Sequence, residues 1–347
     1  MNISKKILSI IIVSIILLHG IENNVYATPS SNTQNPVKVG VFLHNSNDLF
    51  LSNVEKNLED IQKENENKVQ FTFFDAKDNQ LIQNESINQA INKKFDLLVI
   101  NLVSRNKSQI EDVIEKVIQK NIPFIIYISS NPEITNFIKN YPRAVVIGVR
   151  NEEDGLLQGE ILADTWNSNK EILDKNHDNI MQYVILQGPS DHPASIERSK
   201  YSILAINNSG IKTQELSSVV CNWDEECARA AMESIFLANG DKIEAIIANN
   251  DAMAIGAIKT LQKYGFNKGN NSKYIPVIGF DGLPEAKELI KQGIMTGTVV
   301  QDPSEHAKAI YAIGMNLVSG VPPLNDTNYK FDETGIQVGI PVYKYVK

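Results

Sequence analysis

The chain has 347 residues, room for about two domains. Its 42% hydrophobic and 21% charged residues are ordinary for a globular protein. Net charge is -8 and no basic patch appears, which excludes nucleic acid as a partner.

The N-terminus reads as a targeting segment. Lys5 and Lys6 precede the apolar run Ile7–Leu18, and Val25-Tyr26-Ala27 fits a small-residue cleavage site. Residues 1–27 are therefore expected to be a secretory signal, cleaved rather than kept as an anchor, because the run is short for a membrane span. No cysteine stands nearby for lipoprotein attachment. Residues 28–36, rich in Ser, Thr, Asn and Pro, read as a linker.

Apolar runs then recur with amphipathic stretches between them. Val37–His44, Val69–Ala76, Asp96–Val103, Pro123–Ser129 and Ala144–Val149 form one set of strands. Met181–Gly188, Gln214–Val220, Glu244–Ala248, Pro276–Gly282 and Gly297–Gln301 form a second. Helical patterns include Asn53–Glu64, Gln109–Lys120, Gly155–Trp166, Ala228–Leu237 and Ala252–Lys263. Such alternation predicts α/β architecture with parallel sheets from right-handed βαβ units. Two sets of similar rhythm predict two doubly wound lobes. The last helix, His306–Val318, and a tail strand, Thr334–Tyr345, must dock back onto them, so the lobes interleave. A hinged cleft between lobes is a favoured place for a small ligand. Cys221 and Cys227, six apart across a strand-to-helix turn, leave a disulfide open.

Two stretches carry chemistry. Glu244–Ala254 reads as strand, turn and helix start. Asn250 stands at the strand's C-terminal end, where open α/β sheets bind ligands, with Asp251 as the expected helix cap. Glu244 stands about 20 Å away at the other end. The second stretch is Asp174-Lys175-Asn176-His177-Asp178-Asn179-Ile180-Met181-Gln182. Oxygen side chains fall at positions 1, 3, 5 and 9, with the Ile180 carbonyl at 7, which is the EF-hand spacing for Ca²⁺. Asn179 replaces the usual Gly and tolerates a left-handed backbone. Position 12 is Ile185, so a further carboxylate must come from elsewhere.

Five motifs together resemble the periplasmic galactose/glucose-binding proteins of sugar ABC transporters, a class I periplasmic binding protein group. They are Asn47-Asp48-Leu49-Phe50, Gly188-Pro189-Ser190-Asp191-His192-Pro193, Asn222-Trp223-Asp224, Ala248-Asn249-Asn250-Asp251-Ala252-Met253-Ala254 and the run Pro276–Ala286. The resemblance implies two lobes joined by a three-segment hinge. Residues 37–147 plus 303–335 would form the N-terminal lobe, and 151–301 plus 340–347 the C-terminal sugar- and calcium-binding lobe. It implies Asp48, His192, Arg198, Asn250 and Asp281 as polar sugar ligands, with Gln301 where related binders have Asn or Gln. It also implies Glu244 as the missing calcium ligand, beside Asp174, Asn176, Asp178, Ile180 and Gln182.

The residue types suit a monosaccharide. A pyranose has apolar C–H faces, which Phe50 and Trp223 can sandwich, and a rim of hydroxyls that charged partners bind strongly. Two departures stand out. Ile128, Ser129, Ser130 or Asn131 must fill the space of a sugar-contacting Asn-Lys pair. Ala194 replaces a carboxylate near the anomeric hydroxyl, leaving Arg198 to pair with Asp191 or Glu197 and relaxing the demand for a free anomeric hydroxyl. The expected function is extracytoplasmic capture of a galactose- or glucose-like sugar by a monomer, for an ABC permease. A sensing subunit for a membrane histidine kinase or chemoreceptor is the alternative. An enzyme is not expected: Ser190, Asp191, His192 and Ser195 crowd one loop, and no Gly-x-Ser-x-Gly elbow, dinucleotide fingerprint or P-loop occurs.

Overall fold

Two six-stranded sheets carry the chain. The computed structural model describes residues 35–128, 132–269 and 273–347. The signal reading, most of the linker reading, and Ser129, Ser130 and Asn131 lie outside them.

Sheet A holds β1 (Val37–Leu43), β2 (Val69–Asp75), β3 (Leu97–Ile100), β4 (Phe124–Ile128) and β5 (Ala144–Gly148). Sheet B holds β6 (Ile180–Gln187), β7 (Lys212–Val220), β8 (Ala245–Ala248), β9 (Val277–Asp281) and β10 (Gly297–Gln301). The orders are β2-β1-β3-β4-β5 and β7-β6-β8-β9-β10, the same doubly wound pattern twice, and these ten strands pair in parallel. We call the sheet A half lobe 1 and the sheet B half lobe 2.

These strands are continuous apolar runs because both faces of each sheet are covered. On β3, Leu97 and Val99 join one core while Leu98 and Ile100 join the other. On β8, Ile246 and Ala248 face one core, Ala245 and Ile247 the other. A slip of one residue would exchange the two sets.

The tail is not one strand. Pro341 has no N–H to donate and interrupts it. β11 (Gln337–Gly339) pairs with β5 in sheet A, and β12 (Val342–Val346) pairs antiparallel with β10 in sheet B. The chain thus passes between lobes three times: from β5 into helix Asn151–Ser168, from β10 into helix Pro303–Ser319, and from β11 to β12. In the second passage Ala307, Ile310, Ile313 and Leu317 pack with Val39, Val99 and Ile125 of lobe 1.

Candidate functional site

The C-terminal ends of both sheets' strands meet at one cavity of about 40 Å³. Asp48, Phe50, His192, Arg198, Trp223, Asn250, Asp281 and Gln301 all line it, with His44, Leu51, Asn101, Ile128 and Ala194. All eight sugar-ligand candidates from the sequence are therefore brought together: Asp48, Phe50, His192 and Asn250 from helix starts, Arg198 from within the helix Pro193–Asn208, Asp281 and Gln301 from strand ends, and Trp223 from a turn.

Lobe 2 holds its share through a buried polar web. Asn249, fully buried, lies at its centre. Its side-chain oxygen accepts from Gly188 N at 3.2 Å and Ser195 Oγ at 3.1 Å, and its carbonyl accepts from Arg198 Nη1 at 3.0 Å. Arg198 Nε donates to Asp154 Oδ2 at 3.2 Å, and the guanidinium lies 3.4 Å over the Phe280 ring. Burial pushes the Asp154 carboxyl up to about 7, against the pull of Arg198. Gln158 donates to the carbonyls of Ala248 and Gly279, tying the end of β8 and the middle of β9 to the same helix as Asp154. Asp281 accepts from Gln301 Nε2 at 2.6 Å. Burial raises its carboxyl well above the ordinary range, with Asp251 and Asp48 adding repulsion.

Lobe 1 places Asp48 and Phe50 at the start of helix α1 (Leu49–Glu64). Asp48 caps it, accepting from Leu51 N at 2.9 Å. The helix thus begins four residues before the expected Asn53, and Phe50 sits in its first turn. Asn101 accepts from His44 N and contacts His44 Nδ1 at 2.7 Å, and donates to Tyr127 O, linking the ends of β1, β3 and β4.

Three cavity residues adopt left-handed or related backbone conformations rare for side-chain-bearing residues: Ile128 (φ 76°), Trp223 (φ 68°) and Asp281 (φ 118°). For β-branched Ile128 this is a genuine outlier. Such strain concentrates at ligand sites where the surroundings over-determine the backbone. A Cβ on Gly188 would lie 2.3 Å from the Trp223 indole, so only glycine leaves the ring its place.

Other readings need correction. Asp251 is not the cap of helix Asp251–Lys263. Asn250 is, accepting from Met253 N at 3.0 Å while donating to Trp223 O at 3.1 Å. Asp251 is buried and instead accepts from Leu283 N and Thr298 Oγ1, bracing β9 and β10. Arg198 pairs with Asp154, not with Asp191 or Glu197, because its helix packs directly on that of Asp154. Cys221 and Cys227 stand as neighbouring free thiols. Sequence reasoning missed His44, Asn101, Arg105 and Asn249. Only Asn249 carried a signal, as the other half of a doubled asparagine at a strand end.

The loop at 174–182 leads into the N-terminal end of β6, at the opposite end of sheet B's strands from the cavity. His177 and Asn179 have φ of 57° and 62°. Asp178 accepts from Asn176 Nδ2 at 2.9 Å and from Gln182 Nε2 at 2.8 Å. Glu244 accepts from the amides of Lys175 and Gln182, and Asp174 from those of Asp178 and Asn179. Burial raises the Glu244 carboxyl, and Asp174 adds repulsion. Gln182 Oε1 is buried with no hydrogen-bond partner among the described residues. No group of three His, Cys, Asp or Glu side chains is gathered for a metal among those residues. The donor set still suits a hard cation, which takes amide and carbonyl oxygens as well as carboxylates.

Twin doubly wound lobes around a shared cleft define a class of binding protein. The periplasmic binding protein domain family matches residues 39–321, and the chain belongs to that family. It is a binding protein and not an enzyme. The D-galactose/methyl-galactoside binding periplasmic protein MglB of Haemophilus influenzae is 30% identical over 302 residues, covering 87% of each chain. The D-xylose-binding periplasmic protein of Escherichia coli is 27% identical over 296 residues, 84% of this chain and 81% of that one. In fold, the chain is similar to an ABC transporter solute binding protein from Bacillus halodurans with bound myo-inositol. That match has a TM-score of 0.72 at 23% identity, over 90% of this chain and 95% of the other. Among the described residues no helix is long and apolar enough to cross a membrane.

Proposed function

We propose that this protein captures a galactose- or glucose-like monosaccharide between its lobes, outside the cytoplasm, and delivers it to an ABC importer. The observation that carries this reading is the cavity itself. Its aromatic side chains, Phe50 and Trp223, come from opposite lobes, and its acceptors suit sugar hydroxyls. Gln301 Oε1 is a buried acceptor with no partner among the described residues. It and the carboxyl oxygens of Asp48 and Asp281 each take an O–H. A ligand lacking those hydroxyls leaves buried polar groups unpaired, which is how such sites reject analogues. The similarity to a D-galactose/methyl-galactoside binder supports this sugar class. Ala194, a methyl group on the cavity wall, fits acceptance of an alkyl glycoside.

A cavity of about 40 Å³ holds two or three waters. A pyranose enters with the lobes further apart, and the three inter-lobe segments are where the chain can bend. Thermal shift with galactose, glucose, xylose and methyl galactoside tests the reading. Galactose or glucose at a hundredfold over Kd should add about 2.7 kcal/mol to stability. No shift with any sugar overturns it.

The same reading includes Ca²⁺ at Asp174, Asn176, Asp178, the Ile180 carbonyl, Gln182 and Glu244. The unpartnered Gln182 Oε1 and the mutual repulsion of Asp174 and Glu244 support it. Such an ion would neutralise the carboxylates and pin the loop to β6 and β8, away from the sugar.

A further inference from the structure

Cys221 and Cys227, the chain's only cysteines, bracket the turn that carries Trp223 into the cavity. Cys221 follows β7 and is buried, and its N–H donates to Gln187 O at 2.8 Å, which holds it to the end of β6. Cys227 lies in the first turn of the helix Glu225–Asn239 and is half-buried. Two hydrogen bonds close the chain between them. Asp224 N donates to Cys221 O at 2.9 Å, and the Asp224 side chain caps the helix by accepting from Cys227 N at 2.7 Å. Cys227 Sγ donates to Val220 O at 3.9 Å, on the residue next to Cys221. Burial and a hydrogen bond with the Cys227 thiol push the Cys221 thiol up.

The turn itself is strained. Asn222 and Trp223 are consecutive left-handed residues, with φ of 50° and 68°, and bulky side chains rarely adopt that region. Such backbone persists only where its surroundings over-determine it. Trp223 nevertheless anchors two cavity residues. Its carbonyl accepts from Asn250 Nδ2 at 3.1 Å, and its ring meets His192 edge-on at 5.2 Å. A movement of this turn therefore reaches three side chains of the cavity wall at once.

We infer that Cys221 and Cys227 are a redox-active pair whose disulfide clamps the base of the Trp223 turn, and that the oxidised protein binds its ligand more tightly than the reduced one. The neighbouring free thiols are the reduced form. Outside the cytoplasm, where the proposed function places this protein, disulfides form and persist. The oxidant is a disulfide, of a small molecule or of a protein. Cys227, the more accessible thiol, attacks one oxidant sulfur as its thiolate and releases the other, leaving a mixed disulfide. The Cys221 sulfur then attacks Cys227 Sγ and releases the second oxidant sulfur. The two cysteine protons pass to the two released thiolates, and the two electrons lost by the protein reduce the oxidant. The closed ring joins the end of β7 to the helix Glu225–Asn239. It removes freedom from the segment that carries Trp223, so less ordering is left for the ligand to bring about. Only the sugar readout below rests on the reading of the cleft as a monosaccharide site.

The whole chain is equilibrated with oxidised glutathione or with a phosphine reductant, and its thiols are counted by alkylation and intact mass. The oxidised protein should carry no alkylatable thiol and no bound glutathione. Two alkylatable thiols in oxidised glutathione, or a lasting glutathione adduct, overturn the inference. Isothermal titration with galactose and glucose should show binding about threefold or more tighter in the oxidised form. Cys227→Ser should bind like the reduced wild type under both conditions. Equal affinity of the oxidised and reduced wild type overturns the inference, whether or not that variant folds. If neither form binds a sugar, the cleft reading fails and acrylamide quenching of tryptophan fluorescence decides this inference alone. Trp166 is 1% exposed and Trp223 only partly buried, so quenching reports Trp223. Oxidation should reduce that quenching, and equal quenching in the two forms overturns the inference.

Discussion

Lobe 1 and lobe 2 share a strand order, yet what stands behind their cavity side chains differs. Behind Arg198, Asn250 and Asp281 lies a polar scaffold in which Asn249, Ser195, Asp154, Gln158, Asp251 and Thr298 bond to one another or to strand-end backbone. Behind Phe50 lies His306, edge-on at 5.3 Å, which in turn meets Tyr127 edge-on at 5.7 Å. Both His306 ring nitrogens and the Tyr127 hydroxyl are buried with no hydrogen-bond partner among the described residues. Lobe 2 therefore fixes the direction of its charged groups before a ligand arrives. Lobe 1 offers an aromatic wall and leaves three polar atoms at the cost of their desolvation.

The largest expected effect comes from breaking the lobe 2 scaffold. Asp154→Ala leaves the Arg198 guanidinium, only 4% exposed, without its carboxylate. Removing one member of a buried ion pair costs about 3–5 kcal/mol. Urea unfolding should show a loss of that size. A loss under about 1 kcal/mol would mean that Asn249 and Phe280 hold Arg198 unaided, and that the two lobes are less different than they look.

The lobe 1 wall should fail in acid instead. Burial pushes the His306 imidazole down to about 3, against about 6.5 unfolded. The unfolded chain therefore binds this proton first. Stability is intact above pH 6.5 and is lost as pH falls toward 3, by roughly 2 kcal/mol at pH 5. Asp154 and Asp251, both raised to about 7, act in the opposite sense over that window. They are common to wild type and to His306→Phe, so the difference between those proteins isolates the histidine. That difference should move by roughly 2 kcal/mol in favour of the variant between pH 7 and pH 5. A flat difference would show an imidazole that titrates normally, hence one that water reaches.

Much of this fold is legible in the sequence, because strands buried on both faces must be continuous apolar runs, and ten of them recur. Boundaries were less so. Helix α1 begins at Leu49 because Asp48 caps it, a choice that local pattern leaves open between Asp48 and later polar residues. Asn250 and Asp251 both suit a cap, and burial beside Thr298 decides which one serves. The site residues at strand ends could be named from position and motif. Arg105 could not. Its guanidinium meets His192, 87 positions away in the other lobe, and nothing in Ser104-Arg105-Asn106 announces that contact.

The smallest effect expected concerns the end of lobe 2 farthest from the cleft, and it sharpens the comparison most. If Ca²⁺ binds the 174–182 loop of the folded state alone, a tenfold excess over Kd adds about 1.4 kcal/mol. Excess chelator should then lower the melting temperature by about 3–6 °C for a unit of lobe size. Gln182→Ala, which removes the unpartnered Oε1, should reduce that shift. A bridging sugar would touch both lobes and should stabilise both, whereas calcium in that loop would touch only lobe 2. Hydrogen exchange should therefore show chelator-induced loss of protection along β6 and β8 with β1 and β3 unchanged. Equal loss in both sheets would mean that the lobes unfold as one unit. An unchanged melting temperature in chelator would mean that the backbone amides now bonded to Asp174 and Glu244 are their only partners.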